Sequence, residues 1–206
     1  MMAIKKSRTR LDPATRTDLI LSTALRLFAE QHYNAVSVRD IAAACDINAA
    51  LIYYYFENKD ALLRQALAQA IGQLQAAYDT DSHDALNPAQ ELTLWLKVHV
   101  PIAPMITRMV KIMADYSASS IRDAETDQLI LEFYAREQAF LETCLRRGIA
   151  ARIFHPVDVA SAARAISLQL DGIFYASQAR GDERIAQDIA NLCAIVEGPA
   201  LCARVT

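Results

Sequence analysis

Glycine and proline are scarce in this chain, five and six among 206 residues. So few turn-forming residues leave little room for the many short strands and hairpins of an all-β domain. Strand-like alternation of apolar and polar positions is rare as well. Cysteine is limited to Cys45, Cys144, Cys193 and Cys202. None belongs to a CxxC pair and no histidine stands at ligand spacing from them, so they read as buried, reduced thiols rather than a zinc or dithiol site. The chain has no glycine-rich phosphate loop, no HExxH and no GxSxG. The usual signatures of nucleotide-binding, zinc-protease and hydrolase chemistry are therefore missing, and no catalytic, metal-binding or cofactor residue is nominated. No apolar h-region follows the N-terminus, and no charge-free stretch is long enough to span a bilayer. A soluble, cytoplasmic, non-enzymatic protein without a membrane partner is expected.

What is abundant is Ala, Leu and Ile in helical spacing, which points to an all-α fold. The formal net charge is −3, but it is unevenly spread. Lys5, Lys6, Arg8, Arg10 and Arg16 face only Asp12 in the first sixteen residues, while acids outnumber bases from residue 61 onward. A basic head on an acidic body suits a chain that meets phosphate at one end.

The stretch Ser37 to Lys59, SVRDIAAACDINAALIYYYFENK, organises the rest. Ser37 can cap a short helix, with Asp40 three residues on closing a capping box. Val38, Ile41, Ala42 and Cys45 fall on one face, and small Ala42 lets a second helix cross closely. Asp46 sits where the chain must turn, a place where Asp tolerates the left-handed conformation. Asn48 is a good N-cap for the next helix, which Ile52 and Phe56 anchor to the core. Two short helices joined by a turn form a helix-turn-helix, whose second helix enters the DNA major groove.

Ser37-Val38-Arg39-Asp40-Ile41-Ala42, Ile47-Asn48, Ile52 to Phe56, Asn58-Lys59 and Leu62-Leu63 closely resemble the amino-terminal domain of TetR-family transcriptional regulators. Asp46 and His32 stand where that family usually has Gly. Ala49-Ala50 replace a common basic or small polar pair, so the recognition helix carries no Lys or Arg. The segment from Gly148 through Asp171-Gly172 also looks like the second half of many TetR-family chains.

The resemblance implies an N-terminal three-helix helix-turn-helix domain followed by a helical ligand-binding and dimerisation domain, about nine helices in all. The expected limits are a flexible basic arm over 1–12, a DNA-binding domain over 13–78 with its motif at 37–56, and a body over 79–206, divided by the polar, acidic break 79–84. Lys59 and Tyr54 would face phosphate, with Ser37 and Arg39 at the backbone or groove edge. Asn48, Ala49, Ala50, Tyr53 and Tyr54 would meet base edges, with Arg39 the candidate for guanine. By packing, Tyr53 and Phe56 are read as inward and Tyr54 and Tyr55 as turned toward DNA. With so few cations in the motif, the arm Lys5 to Arg10 is expected to add to affinity.

Further helices are expected from Asp12-Pro13 to about residue 31, from Asn58 past Leu74, from Asn87-Pro88 to about Val100, up to about Ser119, over 123–147 with Gly148 as its C-cap, from Pro156 to about Arg180, and from Glu183 to Glu197. The last two, with small residues Ala160, Ala163, Ser167, Gly172 and Ala176, would pair with a second copy. In the body, Trp95, His99, Met105, Met109, Met113, Tyr116, Phe133, Tyr134, Phe140, Phe174 and Tyr175 suit either a core or an adaptable pocket. Trp95, His99, Met109, Met113, Tyr116, Phe133, Phe174 and Tyr175 are the pocket candidates. The implied ligand is a small apolar or aromatic molecule, uncharged or weakly charged, and the implied DNA is a palindromic operator met by a homodimer acting as a repressor. A constitutive DNA-binding module without a ligand and an all-α enzyme are the alternatives.

Overall fold

The computed structural model describes residues 12–79, 86–120, 122–198 and 201, and the basic arm, most of the acidic break and Cys202 lie outside them. Among the described residues the chain is nine α-helices and no strand. Helix α1 (Pro13–Gln31), α2 (Val38–Ala44), α3 (Ala49–Tyr55) and α4 (Lys59–Asp79) make the head and the link to the body. The body is α5 (Pro88–Lys97), α6 (Ala103–Ser117), α7 (Ala124–Ala150), α8 (Val159–Arg180) and α9 (Ile185–Glu197), with one 3₁₀ turn at Asp182–Arg184.

Side-chain caps set most of the starts. Asp12 accepts from Ala14 and Thr15 N–H at 3.0 and 3.1 Å, with Pro13 pre-set for the first turn. Ser37 and Asp40 form a complete capping box on α2, and Asn87 and Gln90 another on α5. Asp123 caps α7 and Asp158 caps α8. The α8 start thus falls three residues beyond Pro156, because the Asp158 carboxylate takes the Ser161 N–H at 2.7 Å.

Gly148 does not end α7. The helix runs on to Ala150, and a Cβ at Gly148 would lie 2.0 Å from the Phe154 ring, so the missing side chain is what lets Phe154 fold back and bury. Gly181, with φ 98°, does close α8, its N–H returning to Ser177 O at 2.8 Å.

One core runs the length of the molecule. In the head, Ile20, Phe28, Ile41, Ile52, Leu62 and Leu63 are fully buried; in the body, Leu92, Leu96, Tyr116, Leu141, Phe154 and Phe174 are. Helix α4 belongs to both parts, packing on α1 at one end and on α6 and α7 further along. Helix α6 is a second bridge, lying against α1 as well as α8. The described cysteines Cys45, Cys144 and Cys193 are free and buried, and burial pushes the Cys144 thiol up to about 12. No helix among the described residues is long and apolar enough to cross a membrane.

Candidate functional site

The head presents α3 as an outward ridge. Its seven residues are too short to be stable alone, so two anchors hold it: Ile52 and Phe56, 1% and 2% exposed. The turn before it needs a left-handed residue, and Asp46 supplies it at φ 52°. Asn48 then caps α3, its Oδ1 accepting from Ala50 N–H at 2.8 Å.

The phase of α3 differs in one respect from the sequence reading. Tyr53 is exposed at 57% and Tyr54 at 79%, whereas Tyr55 is half-buried with its hydroxyl 3.5 Å from Arg16 Nη1. Tyr53 is therefore the outward residue and Tyr55 the packed one, the reverse of the inward and outward assignment from sequence. The Tyr55 ring lies edge-on to Tyr54 at 5.2 Å and 6.3 Å from Phe56, which braces Tyr54 from behind. Arg39, Asn48 and Ala50 are exposed beside them, and Ala49 is half-buried.

Two further nominated polar groups, Ser37 and Lys59, already have partners. The Ser37 hydroxyl is engaged by Asp40, and hydrogen bonding to Ser37 holds the Asp40 carboxyl below its ordinary range. Lys59 Nζ donates to Tyr33 O at 3.0 Å and Val36 O at 3.1 Å and lies 4.1 Å from the Tyr33 ring centroid. Desolvation lowers its pKa. Lys59 thus clamps the loop between α1 and α2 and has one N–H left for another acceptor. The Tyr33 hydroxyl in turn donates to Asp60.

Two cavities of the body are lined by nominated pocket residues. The first, about 310 Å³, lies among α4, α5 and α7 and is lined by Leu74, Gln75, Tyr78, Asp79, Trp95, Phe133, Arg136, Glu137 and Phe140. The second, about 320 Å³, lies among α6, α7 and α8 and is lined by Val110, Met113, Ala114, Ser117, Tyr134, Asp171, Gly172 and Tyr175. Of the nominated pocket residues, Trp95 and Phe133 line the first, and Met113 and Tyr175 the second.

Met109, Tyr116, His99 and Phe174 line neither, because they are core. The Tyr116 hydroxyl ties the start of α7, donating to Asp123 O at 3.1 Å and accepting from Asp123 N–H. His99 is 2% exposed, its Nδ1–H donating to Trp95 O at 2.8 Å, and burial pushes its pKa down to about 4, so the ring is neutral at pH 7.

The pocket nominations omit Tyr78, Glu137 and Phe140. The signal was present: Phe133, Glu137 and Phe140 are spaced i, i+4, i+7 on α7, a carboxylate inside an aromatic stripe.

Residues 20–66 match the family model described as "Bacterial regulatory proteins, tetR family". Over that stretch the chain is similar to TetR-family regulators. Among curated relatives, the HTH-type transcriptional repressor KstR2 of Mycolicibacterium smegmatis is 31% identical over 85 residues, 41% of this chain and 42% of that one. The chain spans less than half the length of the curated relatives that it matches above 30% identity. Among solved structures, the TetR-family regulator PfmR of Thermus thermophilus superposes with a TM-score of 0.74 at 26% identity, covering 87% of this chain and 98% of that one. A transcriptional regulator from Saccharomonospora viridis in complex with choline reaches 0.79 at 20% identity, covering 93% and 100%, which shows the shared fold.

Proposed function

We propose that the protein is a dimeric, DNA-binding transcriptional regulator of the cytoplasm, a repressor released from a palindromic operator by a small molecule. The observation that carries this reading is the outward face of α3, where Ala50, Tyr53 and Tyr54 stand exposed beside Asn48 and the α2 residue Arg39. A protein core gains nothing by leaving two tyrosines in water at the tip of a braced helix. A major groove uses them, for hydroxyl contacts to phosphate and ring contacts to thymine methyls. Arg39 is the cation that can reach guanine, the Asn48 side-chain N–H can donate to a base acceptor while its Oδ1 caps α3, and Ala49 and Ala50 allow close approach. Ser37, Tyr55 and Lys59 serve by holding this surface, with the remaining N–H of Lys59 facing phosphate.

The working division is an arm over 1–12, a head over 13–78 and a body over 79–206. Dimerisation through α8 and α9 is supported by exposed Leu168, Tyr175 and Ile195, at 56%, 54% and 53%, and by Gly172, whose built Cβ would meet nothing within 4 Å. Ala163, by contrast, is internal at 0% exposure. Two heads related by a two-fold axis read half-sites about 34 Å apart, one helical turn.

A ligand-responsive body is favoured over a constitutive one by the first cavity. Its wall includes the last turns of α4, and α4 begins in the head. Twenty-one residues at 1.5 Å each make a lever of roughly 30 Å. A ligand that binds one tilt of α4 better than another shifts the spacing of the two heads by that difference in affinity. That the Saccharomonospora viridis neighbour holds choline is in line with a body that receives a small molecule.

The test is a gel shift on the site enriched from genomic fragments, with the full chain and the Arg39→Ala and Tyr54→Ala variants. Each is expected to weaken specific binding by about 1–3 kcal/mol while non-specific binding persists. Variants that bind the site as the parent does would reject this contact surface.

A further inference from the structure

We propose that the cavity walled by Tyr78, Trp95, Phe133 and Phe140 takes a small organic cation, with Glu137 as its counter-charge. This rests on the reading of the body as a ligand-binding domain and names the class of ligand.

Glu137 carries the argument. Its Oε1 is buried and has no hydrogen-bond partner, and Ser167 only partly offsets the upward push of burial on its pKa. A buried carboxylate oxygen without a donor is costly, and native proteins rarely keep one unless something else supplies the partner. Burial raises the Glu137 pKa to about 7, the state of a carboxyl that lacks a counter-ion.

The surroundings select the kind of counter-ion. Phe140 stacks obliquely on Trp95 at 5.4 Å and meets Tyr78 edge-on at 5.3 Å, and Phe133 adds a fourth ring one turn before Glu137. Aromatic faces are negative at their centres and attract cations, most of all diffuse ones that shed water easily. The charged lining residues are Asp79 and Glu137 against Arg136 alone. Arg136 is exposed at the rim, its guanidinium 4.0 Å from Glu132. A cavity of about 310 Å³ with four rings and one interior carboxylate fits a quaternary or tertiary ammonium bearing a small apolar group. A hydrophobic neutral molecule would leave Glu137 as short of a partner as before.

The chain supplies its own reporter, because its one tryptophan is Trp95 in the cavity wall. The full chain, free of DNA, is titrated with phenyltrimethylammonium and with its uncharged isostere tert-butylbenzene, following Trp95 fluorescence and, independently, heat. The cation should bind saturably and more tightly than the isostere. Glu137→Gln, which keeps the shape and removes the charge, should weaken the cation about tenfold or more and leave tert-butylbenzene unchanged. Its melting temperature should not fall. Should that variant not fold, Phe140→Leu serves, with the cation again losing more than the isostere.

No saturable response to the cation, equal affinity for the two probes, or indifference of cation binding to both variants would overturn the assignment. Operator binding is measured separately without probe. A chain that binds DNA but ignores the cation refutes this inference alone, and one that takes the cation but binds no DNA refutes the regulator reading alone.

Discussion

His32 holds φ 64° and ψ 144°, a backbone region that costs a residue with a side chain about 1–3 kcal/mol. What it gains is one contact, Nδ1 at 2.8 Å from Asp115 Oδ2, with 67% of the His32 side chain in solvent. Exposed pairs of this kind contribute about 0–1 kcal/mol, so strain outweighs contact. His32→Gly is expected to raise stability by about 1 kcal/mol in denaturant unfolding; a loss would show that the Asp115 contact dominates. Two buried groups set opposite pH slopes. Glu137, raised to about 7, favours the folded chain when protonated, so its contribution is complete below 4.5 and is lost as pH rises through about 7. His99, lowered to about 4, favours the folded chain when neutral, so its contribution is complete above 6.5 and is lost as pH falls through about 4. Between pH 4.5 and 6.5 the two slopes oppose each other, so melting temperature should change little there, rising only from about 4 to 4.5 and falling from 6.5 to about 7. Glu137→Gln should remove the fall that runs from 4.5 to about 7, leaving melting temperature to rise from about 4 to 6.5 and then level, and a variant with the parent's profile would contradict the Glu137 assignment.

At the scale of elements, the helices were legible because their caps are local: Asp12, Ser37 with Asp40, Asn48, Asn87 with Gln90, and Asp123 each act within three residues. What the sequence could not show is what depends on distant partners. On α3, at about 100° per residue, Tyr53 and Tyr55 lie symmetrically about the line between Ile52 and Phe56. Only the approach of α1, with Arg16 at the Tyr55 hydroxyl, decides which turns inward. Gly148 reads as a cap until Phe154 is seen against it. The α6 bridge was invisible for the same reason, since Lys111 reaches Ala29 O and Asp115 reaches His32 across more than eighty residues of sequence. These two contacts fasten α6 to the end of α1, a second route from body to head beside α4. Lys111→Met is expected to cost about 1.5–3 kcal/mol of stability, the worth of a hydrogen bond from a charged group. It should also reduce the fold-change in operator affinity caused by ligand while leaving ligand affinity within about twofold. Unchanged coupling in gel shifts with saturating ligand would assign all the transmission to α4.

At the scale of the molecule, the architecture was readable from the absence of strand patterning and from the head motif, while the cavities were not, because the same aromatic and methionine residues build both core and pocket. Tyr116 and Phe174 went to the core and Trp95 and Phe133 to a cavity wall, a division made by packing alone. Assembly belongs here too. Leu168 and Tyr175 expose apolar surface along α8, and Ile195 on α9, the kind of patch that a monomer seldom leaves uncovered. Leu168→Glu with Tyr175→Glu should convert a dimer into a helical monomer in sedimentation velocity and lower operator affinity by more than about tenfold, since each head alone contacts only one half-site. A parent chain that already sediments as a monomer would remove the dimer from the account.

The most direct measurement of the central claim is a selection of genomic fragments by the purified full chain at low and moderate salt, repeated with the Tyr54→Ala variant. The account predicts enrichment of a palindromic site with half-sites one helical turn apart, strong for the parent chain and lost for Tyr54→Ala at moderate salt. No enrichment even at low salt, or equal enrichment of the same site by the variant, would contradict it.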